Sequence, residues 1–212
     1  MNILKSMIIS RHGATAYNDN HLLQGRTDVM LSEKGIHEAV LLAKYLKNEK
    51  IDVIYYTPLI RSKQTAEIVN QFHNVSMACM DHLIEMDMGE YEGKNFPELI
   101  ERNQEFYYRW ITDPEERMPG GESFNDVFAR VKTGIEAIMA SPFRDILIIG
   151  HAMTNRAIIG NLLDIPPKSS RRFRTGNCSV SRVTAMQSSQ GIYLMMDTWN
   201  HMEHIDSVTK TA

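Results

Sequence analysis

The segment Asp145-Ile146-Leu147-Ile148-Ile149-Gly150-His151 restricts the fold more than any other. Consecutive large apolar residues cannot alternate between core and water, so both faces of such a strand need cover. A parallel sheet with helices on each side meets that demand. The rest of the chain supplies suitable neighbours. Met7-Ile8-Ile9-Ser10 and Asp52-Val53-Ile54-Tyr55-Tyr56 read as two more buried strands. Residues 75–80 read as a short strand, and 179–186 and 192–197 as two late ones.

Helical patterns lie between these runs. Ser32 is placed to cap a helix over 33–47, with Ile36, Val40, Ala43 and Leu46 on one face. Thr57-Pro58 reads as an N-cap followed by a first-turn proline, which opens a helix to about residue 72 with Arg61 in its first turn. Residues 97–111 read as one helix. Ser123 and Asp126 form a capping box with Asp in place of Glu. Phe124, Val127, Phe128, Val131, Ile135 and Ile138 then share one side of the helix that follows. Residues 153–163 are helical, and Pro166-Pro167 stops them. This alternation predicts an α/β fold: a single three-layer domain whose mainly parallel central sheet has helices on both faces. No repeat or linker-like shift in composition divides residues 1–212, and the polar tail from about His201 is expected to fray.

Composition removes some function classes. A net charge of −3 gives no global electrostatic case for nucleic acid or an anionic membrane. No apolar run approaches the ~20 residues that a membrane span needs. Residues 1–10 contain no cleavage-site pattern of the secretory kind, so the cytoplasm is the expected location. Cys79 and Cys178 are too sparse for a disulfide scaffold and are expected to be reduced, structural thiols. No metal-ligand spacing is visible. His201 and His204 match no ligand set, and nothing in the sequence fixes an oligomeric state.

Two predicted strands end in histidine: Arg11-His12 after the first and Gly150-His151 after the apolar run. Ligands of α/β sheets bind beyond the carboxyl ends of the strands, so neighbouring parallel strands would aim both imidazoles at one crevice. Arg61 lies just past a third strand, at a helix N-terminus where free backbone N–H groups favour anions. Arg11 adds a second guanidinium, and Glu85 enters from the next strand end. Such a pocket suits a phosphate dianion, because guanidinium forks match phosphate oxygens and stay charged. A neutral imidazole can attack phosphorus, while a carboxyl group protonates the leaving group and then activates water. Asp81, Asp87, Glu90 and Glu92 are nearby alternatives to Glu85 on sequence alone.

Arg11-His12-Gly13, followed by Asn18, Gln24-Gly25, Asp28, Leu31-Ser32 and Gly35, resembles the signature of the histidine phosphatase superfamily, which includes the cofactor-dependent phosphoglycerate mutases. Tyr56-Thr57-Pro58-Leu59-Ile60-Arg61-Ser62-Lys63-Gln64-Thr65-Ala66 resembles its second block, and Glu85 with Gly89-Glu90-Tyr91-Glu92-Gly93 its third. Gly120-Gly121-Glu122-Ser123 and Gly150-His151-Ala152 resemble the last two. The ordered match runs from about Ile8 to Asp197. The resemblance implies that His12 is the phosphorylated nucleophile and that Arg11, Arg61 and His151 complete the phosphate pocket. It selects Glu85 as the proton donor. It puts Asn18 on the phosphoryl group and Gln24-Gly25 over the substrate. Apart from the resemblance, Asn177 is a candidate polar lining residue. The resemblance also implies chemistry with no metal, and no cofactor is expected.

The segment Met86-Asp87-Met88-Gly89-Glu90-Tyr91-Glu92-Gly93 has the phosphatase style. The arginine pair and proline-rich insertion of the mutases are missing from 95–120. The reading is therefore a phosphomonoester hydrolase acting on a small phosphorylated metabolite. A mutase-type isomerase is the alternative, and a non-catalytic phospho-ligand binder the more distant one. Residues 94–119 are expected to cover the leaving group. Phe106, Tyr107, Tyr108 and Trp110 there suit either a lid or packing of a helix onto the core, the second being commoner. Arg171, Arg172 and Arg174 suit either a recruiting rim or, more commonly, a solvated face.

Overall fold

The computed structural model describes residues 2–205. Its strands are β1 (Asn2–Arg11), β2 (Val53–Tyr56), β3 (Ser76–Cys79), β4 (Asp145–Gly150), β5 (Val180–Ser188) and β6 (Gly191–His201). They form one sheet in the order β3-β2-β4-β1-β5-β6. The first four in that order run parallel. β5 is antiparallel to both of its neighbours, so it alone runs against the rest. The helices are α1 (Ala16–Asp19), α2 (Glu33–Leu46), α3 (Ile60–Asn70), α4 (Phe96–Arg102), α5 (Gln104–Thr112), α6 (Phe124–Ala140), α7 (Ala152–Leu162) and α8 (Pro167–Ser170).

The apolar run of β4 is covered as its composition requires. Ile146 and Ile148, with Met7, Ile9 and Val53, face a cluster containing Val127, Val131 and Ile135 of α6 and Ile158 of α7. Leu147 and Ile149, with Ile8 and Ile54, face the opposite cluster of Leu42 and Leu46 of α2 and Ala66 and Val69 of α3. Each strand thus sends alternate residues into two separate cores, and the sheet is the middle layer.

Several local expectations are corrected. In α2 the buried stripe is Gly35, Glu38, Ala39, Leu42, Ala43 and Leu46, and Ile36 is exposed. A pair of glycines sets this rotation. A Cβ on Gly35 would stand 1.8 Å from the Ala14 carbonyl oxygen, and one on Gly13 2.3 Å from that of Gly35. The helix must therefore turn its glycine, not Ile36, toward the loop after β1. α3 starts two residues later than Thr57-Pro58 suggests, with Leu59 at its N-cap and no side-chain cap of its own. The first amide of α3, Ile60 N–H, instead donates to Asp28 Oδ1 at 2.7 Å.

The helix expected over 97–111 is two, broken at Asn103 (φ −137°, ψ 50°). Pro167 opens α8 in place of ending all helix. Residues 13–31 contain α1, whose capping box joins Thr15 and Asn18. β1, β5 and β6 are longer than their apolar runs, because β1 pairs with β5 from Asn2 to Ser10 and β5 with β6 from Val180 to Ser188. His201 is not frayed, since it pairs with Val180 at the end of β6. The expected tail beyond 205 lies outside the described residues. Cys178 is buried, whereas Cys79 is exposed at the end of the edge strand β3.

Candidate active site

The carboxyl ends of β1 and β4 build the floor. His12 N–H donates to the Gly150 carbonyl at 3.1 Å, which continues the parallel pairing one residue past β1. His12 Nδ1 lies 2.7 Å from the Gly13 carbonyl oxygen. A carbonyl only accepts, so Nδ1 carries the proton and Nε2 is left unprotonated. Arg61 Nε donates toward that nitrogen at 3.3 Å. The Asn177 amide donates to the His12 carbonyl at 2.9 Å, so the residue is held from both sides.

Arg61 has no exposed surface. Its terminal nitrogens donate to the Gly25 carbonyl at 2.6 Å and the Thr27 carbonyl at 2.9 Å. The 25–27 segment is itself pinned by Glu92, whose carboxylate accepts from Thr27 N–H at 2.9 Å and from the Thr27 hydroxyl. A Cβ on Gly25 would meet Glu92 Oε1 at 2.3 Å, which is why glycine occupies that position. Thr65 completes the support, accepting from Gly13 N–H at 3.1 Å.

His151 is the N-cap residue of α7 and is also fully buried. Its ring centroid lies 5.1 Å from that of His12. Nε2 shares a 2.7 Å hydrogen bond with Thr57 Oγ1, which is the task Thr57 performs in place of capping α3. Burial, and then the positive charge of Arg61, hold both imidazoles well below the usual histidine pKa. For His12 the bond to Gly13 pulls weakly the other way. Both rings are therefore neutral at neutral pH. Burial lowers Arg61 to about 10, opposed by Glu85, so its guanidinium stays charged.

Glu85 reaches the floor from the segment after β3. Its carboxylate accepts from Met86 N–H at 2.9 Å, Met153 N–H at 3.1 Å and Thr154 N–H at 3.2 Å. It therefore sits on the first turn of α7, the helix that His151 caps. The backbone bearing it is held by Arg130, which donates to the carbonyls of His82 (3.0 Å), Ile84 (2.6 Å) and Glu85 (3.0 Å). Arg130 is paired in turn with Glu122, Nε to Oε1 at 3.0 Å. The Gly120-Gly121-Glu122-Ser123 block thus acts on the site through Arg130. Of the neighbouring acids, Glu92 is committed to Thr27 and Asp87 to Gly89 N–H. Glu85 alone among these candidates lines the cleft.

That cleft has a volume of about 550 Å³. Arg11, His12, Asn18, Gln24, Glu85 and Asn177 line its polar side. Arg11 Nη1 donates to the Thr175 carbonyl at 3.0 Å. Gln24 Oε1 accepts from Thr15 Oγ1 at 2.8 Å, which leaves its Nε2 as the free end of the amide. Gln24 Nε2, Arg11 Nε and His151 Nδ1 are buried and have no hydrogen-bond partner among the described residues. Arg61, His151 and Gly25 do not line the cleft. The two side chains lie behind His12, and Gly25 serves Arg61 through its carbonyl.

The opposite wall includes Leu22, Phe96, Tyr107, Trp110, Met153 and Arg156. Tyr107 and Trp110 are therefore wall residues, while Phe106 packs edge-on against Tyr91 and Tyr108 is exposed. Arg171 corrects the expectation of a solvated basic face: it is buried, with its guanidinium 4.9 Å from the Trp110 ring centroid. Arg172 and Arg174 are exposed and do not line this cleft. Thr57, Glu92, Arg130 and Arg156 were not assigned these tasks by the sequence. For Arg156 a signal exists, since positions 152, 153 and 156 fall on one helical face.

Fold and site together define an α/β phosphatase. A family model described as histidine phosphatase superfamily, branch 1, matches residues 7–198, and the chain belongs to that superfamily as an enzyme of its phosphatase type. Phosphoserine phosphatase 1 of Hydrogenobacter thermophilus is 31% identical over 198 residues, covering 92% of this chain and 93% of that protein. A probable phosphoglycerate mutase GpmB of Photorhabdus laumondii is 31% identical over 180 residues, 84% of each. The structure of a mycobacterial glucosyl-3-phosphoglycerate phosphatase in complex with VO3 matches with a TM-score of 0.85 at 25% identity, over 93% of this chain and 99% of that one. No helix among the described residues is long and apolar enough to cross a membrane.

Proposed function

We propose that the protein hydrolyses phosphomonoesters through a phosphohistidine on His12, without a metal, acting on a small phosphorylated metabolite in the cytoplasm. The observation that carries this reading is the His12 ring. Its Nδ1 proton is tied to Gly13, which leaves Nε2 unprotonated, and Arg61 Nε points at that nitrogen from 3.3 Å. Nε2 attacks phosphorus in line as the ester P–O bond breaks, and Arg11, Gln24 and Asn18 supply donors to the phosphoryl oxygens. The departing alkoxide takes the proton of the Glu85 carboxyl group. Water then enters from the same side, gives its proton to the Glu85 carboxylate and attacks phosphorus. The N–P bond breaks and inorganic phosphate leaves. The single domain is taken to run over residues 1–212, with no cofactor, and nucleic acid is not a partner.

A rapid-quench experiment with p-nitrophenyl phosphate in EDTA tests this reading. The expected result is an acid-labile, alkali-stable phosphate on His12, lost in His12→Ala. Turnover that stops in EDTA, or His12→Ala hydrolysing at the wild-type rate, overturns it. The isomerase alternative has only the names of some relatives in its favour. It predicts transfer to a second hydroxyl, whereas this reading predicts only free phosphate.

A further inference from the structure

Two arginines at the cleft have no part in the chemistry at His12. Arg156 lines the wall from α7, and burial lowers its pKa. Among the described residues it forms no ion pair. Its Nε has no hydrogen-bond partner, and Nη1 meets only Met153 Sδ at 3.1 Å. Arg171 stands behind the same wall. It stacks on Trp110, lies 5.4 Å from the Phe124 ring centroid and donates to the Asp113 carbonyl at 3.1 Å, again with no carboxylate partner. Arg156 is the charge that most lowers the pKa of Arg171, so the two cations act on each other. Glu85 is the acid that most favours charged Arg156, yet its oxygens are committed to amides of Met86, Met153 and Thr154. Trp110 Nε1, in the same wall, is buried and unpartnered.

Arg171 is buried and Arg156 half-buried; a desolvated cation without an anion is costly, and a second of like sign that acts on it adds to the cost. An arrangement of this kind becomes favourable when an anion fills it. The reactive phosphoryl group is not that anion, because the reading above gives it to Arg11, Gln24 and Asn18 beside His12. The second anion therefore belongs to the leaving group. Arg156 offers one guanidinium edge flanked by Met153 and Trp110. One planar carboxylate fits that edge, whereas a phosphate dianion calls for several donors, as at His12. We infer that Arg156, backed by Arg171 where it stacks on Trp110, is a carboxylate subsite, and that the preferred substrates are small phosphomonoesters whose leaving group carries a carboxylate. This rests on the hydrolase reading above.

The test compares substrates that differ only in the carboxylate: 3-phosphoglycerate against glycerol 3-phosphate, with p-nitrophenyl phosphate as the neutral reference. The wild-type kcat/KM is expected to favour the carboxylate by 10-fold or more, on the order of one charge-assisted hydrogen bond. In Arg156→Gln that preference collapses, mainly through KM, while p-nitrophenyl phosphate turnover changes by less than about 3-fold. Arg156→Lys restores part of it. Equal loss on all three esters, or a wild type indifferent to the carboxylate, overturns the subsite. A stronger preference for 1,3-propanediol bisphosphate overturns the carboxylate assignment. Absence of phospho-His12 with intact discrimination in equilibrium binding would sink the hydrolase reading and leave the subsite standing.

Discussion

The two sides of the cleft are built differently. On the floor, each reacting group is fixed by directional hydrogen bonds: His12 by Gly150, Gly13, Arg61 and Asn177, and Glu85 by the first turn of α7. On the wall, two short helices broken at Asn103 present rings held mainly by one another, Phe96 on Tyr107 at 5.6 Å and Tyr107 on Trp110 at 6.2 Å. Directional bonds specify position to fractions of an ångström, while ring packing tolerates substitution. Reaction chemistry is thus carried by the rigid side, and the leaving group is read by the adaptable one.

This contrast breaks if floor and wall substitutions have similar effects. His12→Ala is expected to lower kcat by about 10⁴-fold or more on every ester, the scale for losing a nucleophile. Glu85→Gln should cost about 10²- to 10⁴-fold with an alkyl phosphate and much less with p-nitrophenyl phosphate, whose leaving group needs little protonation. A uniform loss would deny Glu85 the role of acid. Thr57→Val should lower kcat by about 10-fold, leaving KM nearly unchanged, because it removes one hydrogen bond from His151 behind the floor. Tyr107→Ala, on the wall, should alter KM by less than about 10-fold and leave kcat on p-nitrophenyl phosphate intact. A kcat loss comparable to that of Glu85→Gln would erase the distinction.

The floor also predicts a pH dependence of stability. In the unfolded chain His12 and His151 take up protons near pH 6.5, and in the folded protein only well below it. Below pH 6.5 the unfolded state binds more protons, so stability falls as pH drops through 6.5 and keeps falling until the folded imidazoles protonate. Each histidine contributes up to about 1.4 kcal/mol per pH unit in that window. Urea midpoints from pH 7.5 to 5 should show this decline, and His151→Asn should flatten it. An unchanged slope would mean that His151 is not held neutral.

Much of this was legible in the sequence because the informative signals are local. The apolar run of β4 demanded cover on both faces, and Arg11-His12 and Gly150-His151 mark strand ends whatever the tertiary detail. The misses share one physical origin, contact between segments distant in sequence. Ile36 faces water because Gly13 and Gly35 must touch. Thr57 looks like a cap until His151 arrives from 94 residues away. Arg171 looks like a solvated charge because its cover, Trp110 and Phe124, lies on two other helices.

One helix end has a consequence of its own. His151 caps α7, and the amides of its first turn hold Glu85. The reach from proton donor to phosphorus is therefore set within a single rigid part, much as a jig fixes two tools at once. Loops around the cleft can lengthen, shorten or change composition without altering that reach. A one-residue insertion between His151 and Thr154 would shift it by about 1.5 Å, the rise of a single helical residue. The 94–119 wall is then free to diversify among relatives, while the opening turn of α7 tolerates almost no change in length.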